Sequence, residues 1–297
     1  MNTEIKARPY GVAPPAFQLP DAATLGPVHL QVSDLARSLE YYQRVIGLRA
    51  EETAGDTVVL TAHGGDRALV VLHSRPGVTR ARRGAFGLYH FALLLPDRAA
   101  LGRFAAHLAA QHIRVGMADH LVSEALYLSD PDGLGIEIYA DRPRATWQYR
   151  DLELAMTTDP LDITSLIAAG RGETWDGVPK NTTMGHVHLH VGNLDDAEAF
   201  YHRALGFDKT VWSYPGALFL SAGGYHHHLG TNVWSPGPAP EADHARLLAW
   251  ELIVPSHDDV LSGARSLRGA GYRFDETERG VRVADPWGTV VHLRARE

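Results

Sequence analysis

Two stretches of this chain are near-copies of each other. Residues 28–48 read VHLQVSDLARSLEYYQRVIGL and residues 187–207 read VHLHVGNLDDAEAFYHRALGF; they align without a gap at an offset of 159. A repeat at fixed spacing constrains a fold strongly, because both copies must form the same supersecondary unit. Each copy alternates as a short strand and then takes the spacing of an amphipathic helix. Ser33 and Asn193 stand where a helix N-cap belongs, and Gly47 and Gly206 where the helix ends. A second pair keeps the offset: 89–97 (YHFALLLPD) and 248–256 (LAWELIVPS), with helical patterns over 99–111 and 258–269. Both then reach a DPxG turn, at 130–133 and 285–288, followed by a last strand.

The chain of 297 residues therefore divides into four units of one kind, each a strand, a helix and about three strands, near 25–75, 86–140, 183–235 and 246–295. The expected organisation is a Pro/Ala-rich arm over 1–24, a first pair of units over 25–140, a linker over 141–182 and a second pair over 183–297. A connection of forty-odd residues is too long to stay structureless in a compact protein, and 162–169 reads as a short helix within it.

The stretch around the first DPxG turn, EALYLSDPDGLGIEIY over 124–139, places Glu137 on an otherwise apolar strand. A carboxylate there is expensive to bury without a partner. Tyr127 lies ten residues before it on the preceding strand. Histidine supplies the candidate partners, since the chain has 17 of them and no cysteine. The missing cysteine removes disulfides, thiolate metal sites and a Cys nucleophile. A net charge of −7 with no basic stripe argues against nucleic acid as a partner. No apolar run is long enough for a signal peptide or a membrane span, so a cytoplasmic protein is the expectation.

Four βαβββ units with DPxG turns and YYxxxxGL or FYxxxLGF helices resemble the vicinal oxygen chelate superfamily. It includes glyoxalase I, bleomycin-resistance proteins and type I extradiol catechol dioxygenases. The resemblance implies an α+β fold of paired, cupped mixed β-sheets with helices outside and a metal in the cup. Carried over one residue at a time, the family's first-strand ligand positions are Pro27, His90, His186 and Ala249. Its last-strand positions are Val71, Glu137, His228 or its neighbour His227, and His292. Units two and three thus hold the full set, with His90, Glu137 and His186 as metal ligands and His228 as a possible fourth. Two His and one carboxylate with open positions suit non-haem Fe(II), with Mn, Zn or Ni as other choices. For these residues to meet, units two and three must share one cup, although the usual order in the family joins units next to each other in sequence.

The extradiol enzymes also place a Tyr ten residues before the ligand Glu, as Tyr127 stands to Glu137. They carry a pocket His upstream of that Tyr, for which His120 is the candidate. They further carry an acid–base His six positions after a Phe-Leu-Ser, matched by 219–221 followed by His227. The implied chemistry is ring cleavage of an aromatic diol by O₂ in a homo-oligomeric enzyme. His227 would accept a proton from the diol, and Tyr127 and His120 would hydrogen-bond the dioxygen atoms.

Blander readings stand beside these. A lone His on an apolar strand is more often a satisfied core residue than a ligand; joint occurrence at three aligned positions is what lifts His90, Glu137 and His186. Adjacent strand residues face opposite sides, so either His227, or His226 with His228, faces the metal. His29 and His188 read as cup-lining residues. His292 occupies a ligand position, but its first-strand counterpart is Ala249, so it reads as a surface or core His, with a second site around it as the alternative. A glyoxalase-like lyase or isomerase with His228 as fourth ligand is the competing enzyme; a small-molecule-binding resistance protein is the non-catalytic alternative.

Overall fold

The computed structural model describes residues 10–235 and 237–296; the first nine residues of the expected arm lie outside them. The chain builds two eight-stranded mixed sheets. One runs in the order Phe274–Thr277, Gly280–Ala284, Val290–Ala295, Arg246–Val254, Thr24–Val32, Ala68–Ser74, Thr57–Thr61, Arg49–Ala54. It is made of units four and one. The other runs Asp208–Val211, Ala217–Ser221, Leu229–Asn232, Thr183–His190, Gly87–Leu94, Gly135–Asp141, Ser123–Ser129, Gly116–Asp119 and is made of units three and two. In each sheet the two first strands pair antiparallel at the centre. Each first strand runs parallel to the last strand of its own unit. Units two and three therefore do share a cup.

Alternation along the strands decides what enters that cup. Phe91, Leu93, Ile136, Ile138, Val187 and Leu189 join the main apolar cluster, together with Leu101, Phe104 and Leu108 of helix Arg98–Ala110. The residues between them, His90, Ala92, Glu137, Tyr139, His186 and His188, face the other way. Two glycines permit the close strand approach: a Cβ on Gly135 would collide with the Tyr89 carbonyl, and one on Gly185 with the Tyr139 hydroxyl.

The repeated helix and the DPxG turn belong to one device. Buried Tyr42, in unit one, donates its hydroxyl proton to Asp130 Oδ2 in unit two at 3.2 Å. Tyr201, in unit three, does the same to Asp285 Oδ2 in unit four at 2.8 Å. Sequence-adjacent units are thus bolted together by a buried phenol–carboxylate bond, while the sheets join them in the other combination. Burial pushes the Asp130 carboxyl up to about 6. Each helix ends in a π-helical turn, Tyr42–Ile46 and Glu198–Ala204, where the sequence pattern predicts a regular helix.

Asn193 is the N-cap expected of it. Ser33 is not: Asp34 caps helix Leu35–Tyr41, accepting from the Arg37 N–H. Ser33 instead donates its backbone N–H and hydroxyl to Asp132 of the DPDG turn. The linker is structured, as its length requires. Asp162 caps helix Ile163–Ala169, which packs on helix Arg98–Ala110 where Gly102 and Gly170 meet without side chains between them. Residues 156–158 of the linker reach the cup of units two and three.

Candidate metal centre

Three ligand atoms converge at the floor of that cup. His90 Nε2 lies 3.0 Å from Glu137 Oε2, His186 Nε2 lies 3.1 Å from the same oxygen, and the two nitrogens are 3.3 Å apart. Each comes from a different strand at the sheet centre: Gly87–Leu94, Gly135–Asp141 and Thr183–His190. All three residues are buried, at 5%, 2% and 2% exposure. Adjacent ligands on one face of an octahedral ion at about 2.1 Å stand about 3.0 Å apart, so this triangle has the size of a facial two-His-one-carboxylate triad.

The protonation states match as well. Burial holds both His90 and His186 below the ordinary imidazole range, which keeps them neutral. Burial alone would raise Glu137, but His186 and His90 outweigh it and hold the carboxyl well below the usual range. Neutral imidazoles around an ionised carboxylate are the forms a metal ion binds.

The ring of polar groups above the triangle is equally ordered. Tyr127 opposes Glu137 across the strands. Its hydroxyl lies 2.6 Å from His120 Nε2. His120 Nδ1 is 2.6 Å from the Thr157 carbonyl. A carbonyl only accepts, so Nδ1 carries the proton, and in the neutral ring Nε2 accepts from Tyr127. Burial raises the Tyr127 phenol well above its ordinary range, with Glu137 adding to the effect, so it stays protonated.

His227 lies on the other side, its ring centroid 4.1 Å from that of His186. Its Nδ1 is 2.7 Å from His226 Nδ1, and His226 Nε2 is 3.0 Å from Asp141 Oδ1. This chain fixes a tautomer. The carboxylate accepts from His226 Nε2–H; in the singly protonated His226 ring Nδ1 then accepts, and His227 donates from its own Nδ1. His227 Nε2 is left with a free lone pair. Burial, with His186 and His226 adding to it, keeps the His227 ring neutral.

The four residues His90, Glu137, His186 and His227 thus come together with Tyr127 and His120 around one cavity of about 370 Å³. His228 does not join them. Residues 226–228 form a bend instead of a continuous strand, because Gly223 and Gly224 both take positive φ just before it. His228 turns to the back, where its Nδ1 accepts from the Ala222 N–H at 3.2 Å, and so is no fourth ligand. Asp141 was missed from sequence, as were Tyr89, Tyr214 and Trp234 at the cavity wall; from sequence His226 is weighed only as a metal-facing residue together with His228, not as the partner of His227. Asp141 follows Glu137 by four positions, so strand alternation points to it; the bend hides His226. His292, read as a surface or core residue, instead faces His29 and Glu251 in the other sheet. A larger, open depression of about 590 Å³ beside His63, Arg103 and Lys180 lies away from these groups.

Comparison with known proteins adds independent findings. The model of the Glyoxalase/Bleomycin resistance protein/Dioxygenase superfamily matches residues 24–138 and 183–293. A catechol-2,3-dioxygenase from Bacillus subtilis (strain 168) is 45% identical over 269 residues, covering 88% of this chain and 93% of that protein. A crystal structure of a provisionally assigned dioxygenase from Bacillus subtilis subsp. subtilis superposes with a TM-score of 0.68 at 13% identity, over 94% of this chain and 86% of the other. Glyoxalase I from Zea mays superposes with a TM-score of 0.55 at 15% identity, over 92% of each chain. At these identities the two structures speak for the fold alone.

Proposed function

The chain belongs to the Glyoxalase/Bleomycin resistance protein/Dioxygenase superfamily, and from that premise we propose that it is an extradiol dioxygenase, cleaving the ring of a catechol-type aromatic with O₂. His90, Glu137 and His186 would hold a divalent metal, Fe(II) by the chemistry of the donor set. The observation that carries this reading is the buried triangle of ligand atoms with edges of 3.0, 3.1 and 3.3 Å. The 45% identity to a catechol-2,3-dioxygenase supports it.

The metal, when bound, would acidify the vicinal hydroxyls of the diol and draw O₂ to the same face of the ring. The rest falls to the chain. His227 Nε2 accepts the proton that a diol hydroxyl gives up, while Asp141, through His226, holds the ring in the accepting tautomer. On the opposite side Tyr127 lines the cavity, its O–H given to His120 Nε2. Phe219, Met117 and Met156 give the ring an apolar seat, and Trp234 with Tyr89 stands at the mouth. No Lys or Arg lines the cavity among the described residues, which suits a substrate without an anionic substituent.

A glyoxalase-like reading loses its fourth ligand, since His228 faces away. A binding module has no use for the His227–His226–Asp141 chain. Iron-loaded protein given catechol under air should turn yellow as the ring-opened semialdehyde forms. Protein that holds iron, binds catechol and stays colourless would defeat the reading.

A further inference from the structure

We propose that the sheet of units one and four carries a second divalent-metal site, formed by His29, Glu251 and His292 and independent of the centre described above. One ligand atom from each lies within 4.8 Å of the other two. His29 Nε2 and Glu251 Oε1 are already 3.2 Å apart, the separation found in the first centre. Glu251 and His292 are register partners on the parallel strands Arg246–Val254 and Val290–Ala295. His29 is on the central strand Thr24–Val32 next to them.

The donors are backed as metal ligands need to be. His29 Nδ1 is 3.2 Å from His73 Nε2, and His73 Nδ1 is 3.2 Å from Thr57 Oγ1. This chain holds the His29 ring and turns its Nε2 to the cluster. Arg294 Nε donates to Glu251 Oε2 at 2.5 Å, which orients the carboxylate and leaves Oε1 for the cluster. Outer partners of this kind are what fix the direction of metal ligands. His292 Nε2 is buried and has no hydrogen-bond partner among the described residues, an arrangement a satisfied core histidine avoids. An ion shared with His29 and Glu251 supplies the missing partner to the cluster.

The position also explains why the repeat conceals it. Glu251 stands two residues beyond Ala249, the counterpart of His90, and His29 is the counterpart of His188, two residues beyond His186. The second cluster is displaced by one step along the same strand faces, so a search at the repeated ligand positions finds only His292. Each of the three residues is half-buried, with the His29 and Glu251 side chains at 21% and 12% exposure. Arg282 opposes His292 across the strands. With two guanidinium groups close by, this site is the weaker one and fills second. Its donors, two imidazoles and a carboxylate, suit Zn²⁺ or a neighbouring first-row ion over Ca²⁺ or Mg²⁺.

The test is a calorimetric titration of metal-free full-length protein with Zn²⁺, checked by metal analysis after gel filtration. Wild type should take up two equivalents, the second more weakly. His292→Ala and the nearly isosteric Glu251→Gln should each take up one, with unchanged circular dichroism. Glu137→Ala should lose the tighter equivalent and keep the weaker, so failure of the first centre is told apart from failure of the second. A wild-type stoichiometry of one overturns the proposal. So does a second equivalent that survives in folded His292→Ala and Glu251→Gln.

Discussion

Glu137 and His186 stand 49 positions apart in sequence and belong to different halves of the chain, yet Glu137 Oε2 and His186 Nε2 meet at 3.1 Å. The meeting depends on the antiparallel pairing of strands Gly87–Leu94 and Thr183–His190, which places units two and three in one sheet. Any account of function must run through that pairing. With units one and two in one cup, Glu137 would face His90 alone, a buried carboxylate short of partners.

Substitution of the triangle gives the first prediction. His90→Ala, Glu137→Ala and His186→Ala should each remove the tightly held metal and abolish ring cleavage while leaving the fold intact. Metal analysis beside circular dichroism checks this. Retention of the tight equivalent in any of the three would remove that residue from the ligand set.

The second prediction separates neighbours. His227→Phe should keep the metal but lower kcat by about 10²–10⁴-fold, the range for a positioned acid–base group. His228→Ala should change kcat little, because His228 accepts from a backbone N–H behind the cup. The reverse order would mean that the bend after Gly224 presents His228 to the substrate.

Asp141 and His226 are positioning residues in this account. Asp141→Asn frees the His226 ring to reverse its tautomer, and His227 Nε2 then no longer needs to be the unprotonated nitrogen. We expect kcat to fall by roughly 10–100-fold, the scale of an outer-partner loss, with KM and metal content unchanged. Asp141→Glu should recover part of the rate. Equal losses in both variants would reduce the pair to a structural role.

Stability of the metal-free protein should fall on acidification. Burial holds His90, His186, His188 and His227 below the ordinary imidazole range and pushes His228 down to about 3 and His292 to about 4. The folded state keeps these rings neutral, whereas the unfolded chain protonates them near ~6.5. Their contribution is therefore present above that value and drains away as the pH falls toward their folded-state values. Asp130, raised to about 6, works the other way and offsets part of the loss. Denaturant midpoints should drop between pH 7.5 and 5.5 by about the same sign and order in two probes of unfolding. A midpoint that is flat across that window contradicts the prediction.

What could be read from sequence followed regular geometry. The four units come from strand alternation and the repeat; the set of His90, Glu137 and His186, and with it the shared cup, comes from the resemblance to the superfamily, and the structure brings the three together because each sits on an unbroken strand. Legibility failed where the backbone leaves the lattice. Gly223 and Gly224 bend the 226–228 segment, so a period-two count assigns His226 and His228 one face when His226 packs under the site and His228 turns behind it. Asp34 took the capping place of Ser33 because Ser33 was drawn to Asp132, a contact 99 positions away. The bond from Tyr42 to Asp130 was likewise invisible to local pattern, although both motifs were plain in the sequence.

The most direct measurement is the fate of isotopically labelled oxygen. Iron-loaded protein, given catechol and ¹⁸O₂ in unlabelled water, should release a ring-opened product into which both atoms of O₂ have been incorporated, after allowance for aldehyde exchange, and Glu137→Ala should release none. Iron-replete protein that consumes no O₂ with catechol, or whose product takes its oxygen only from water, would contradict the account.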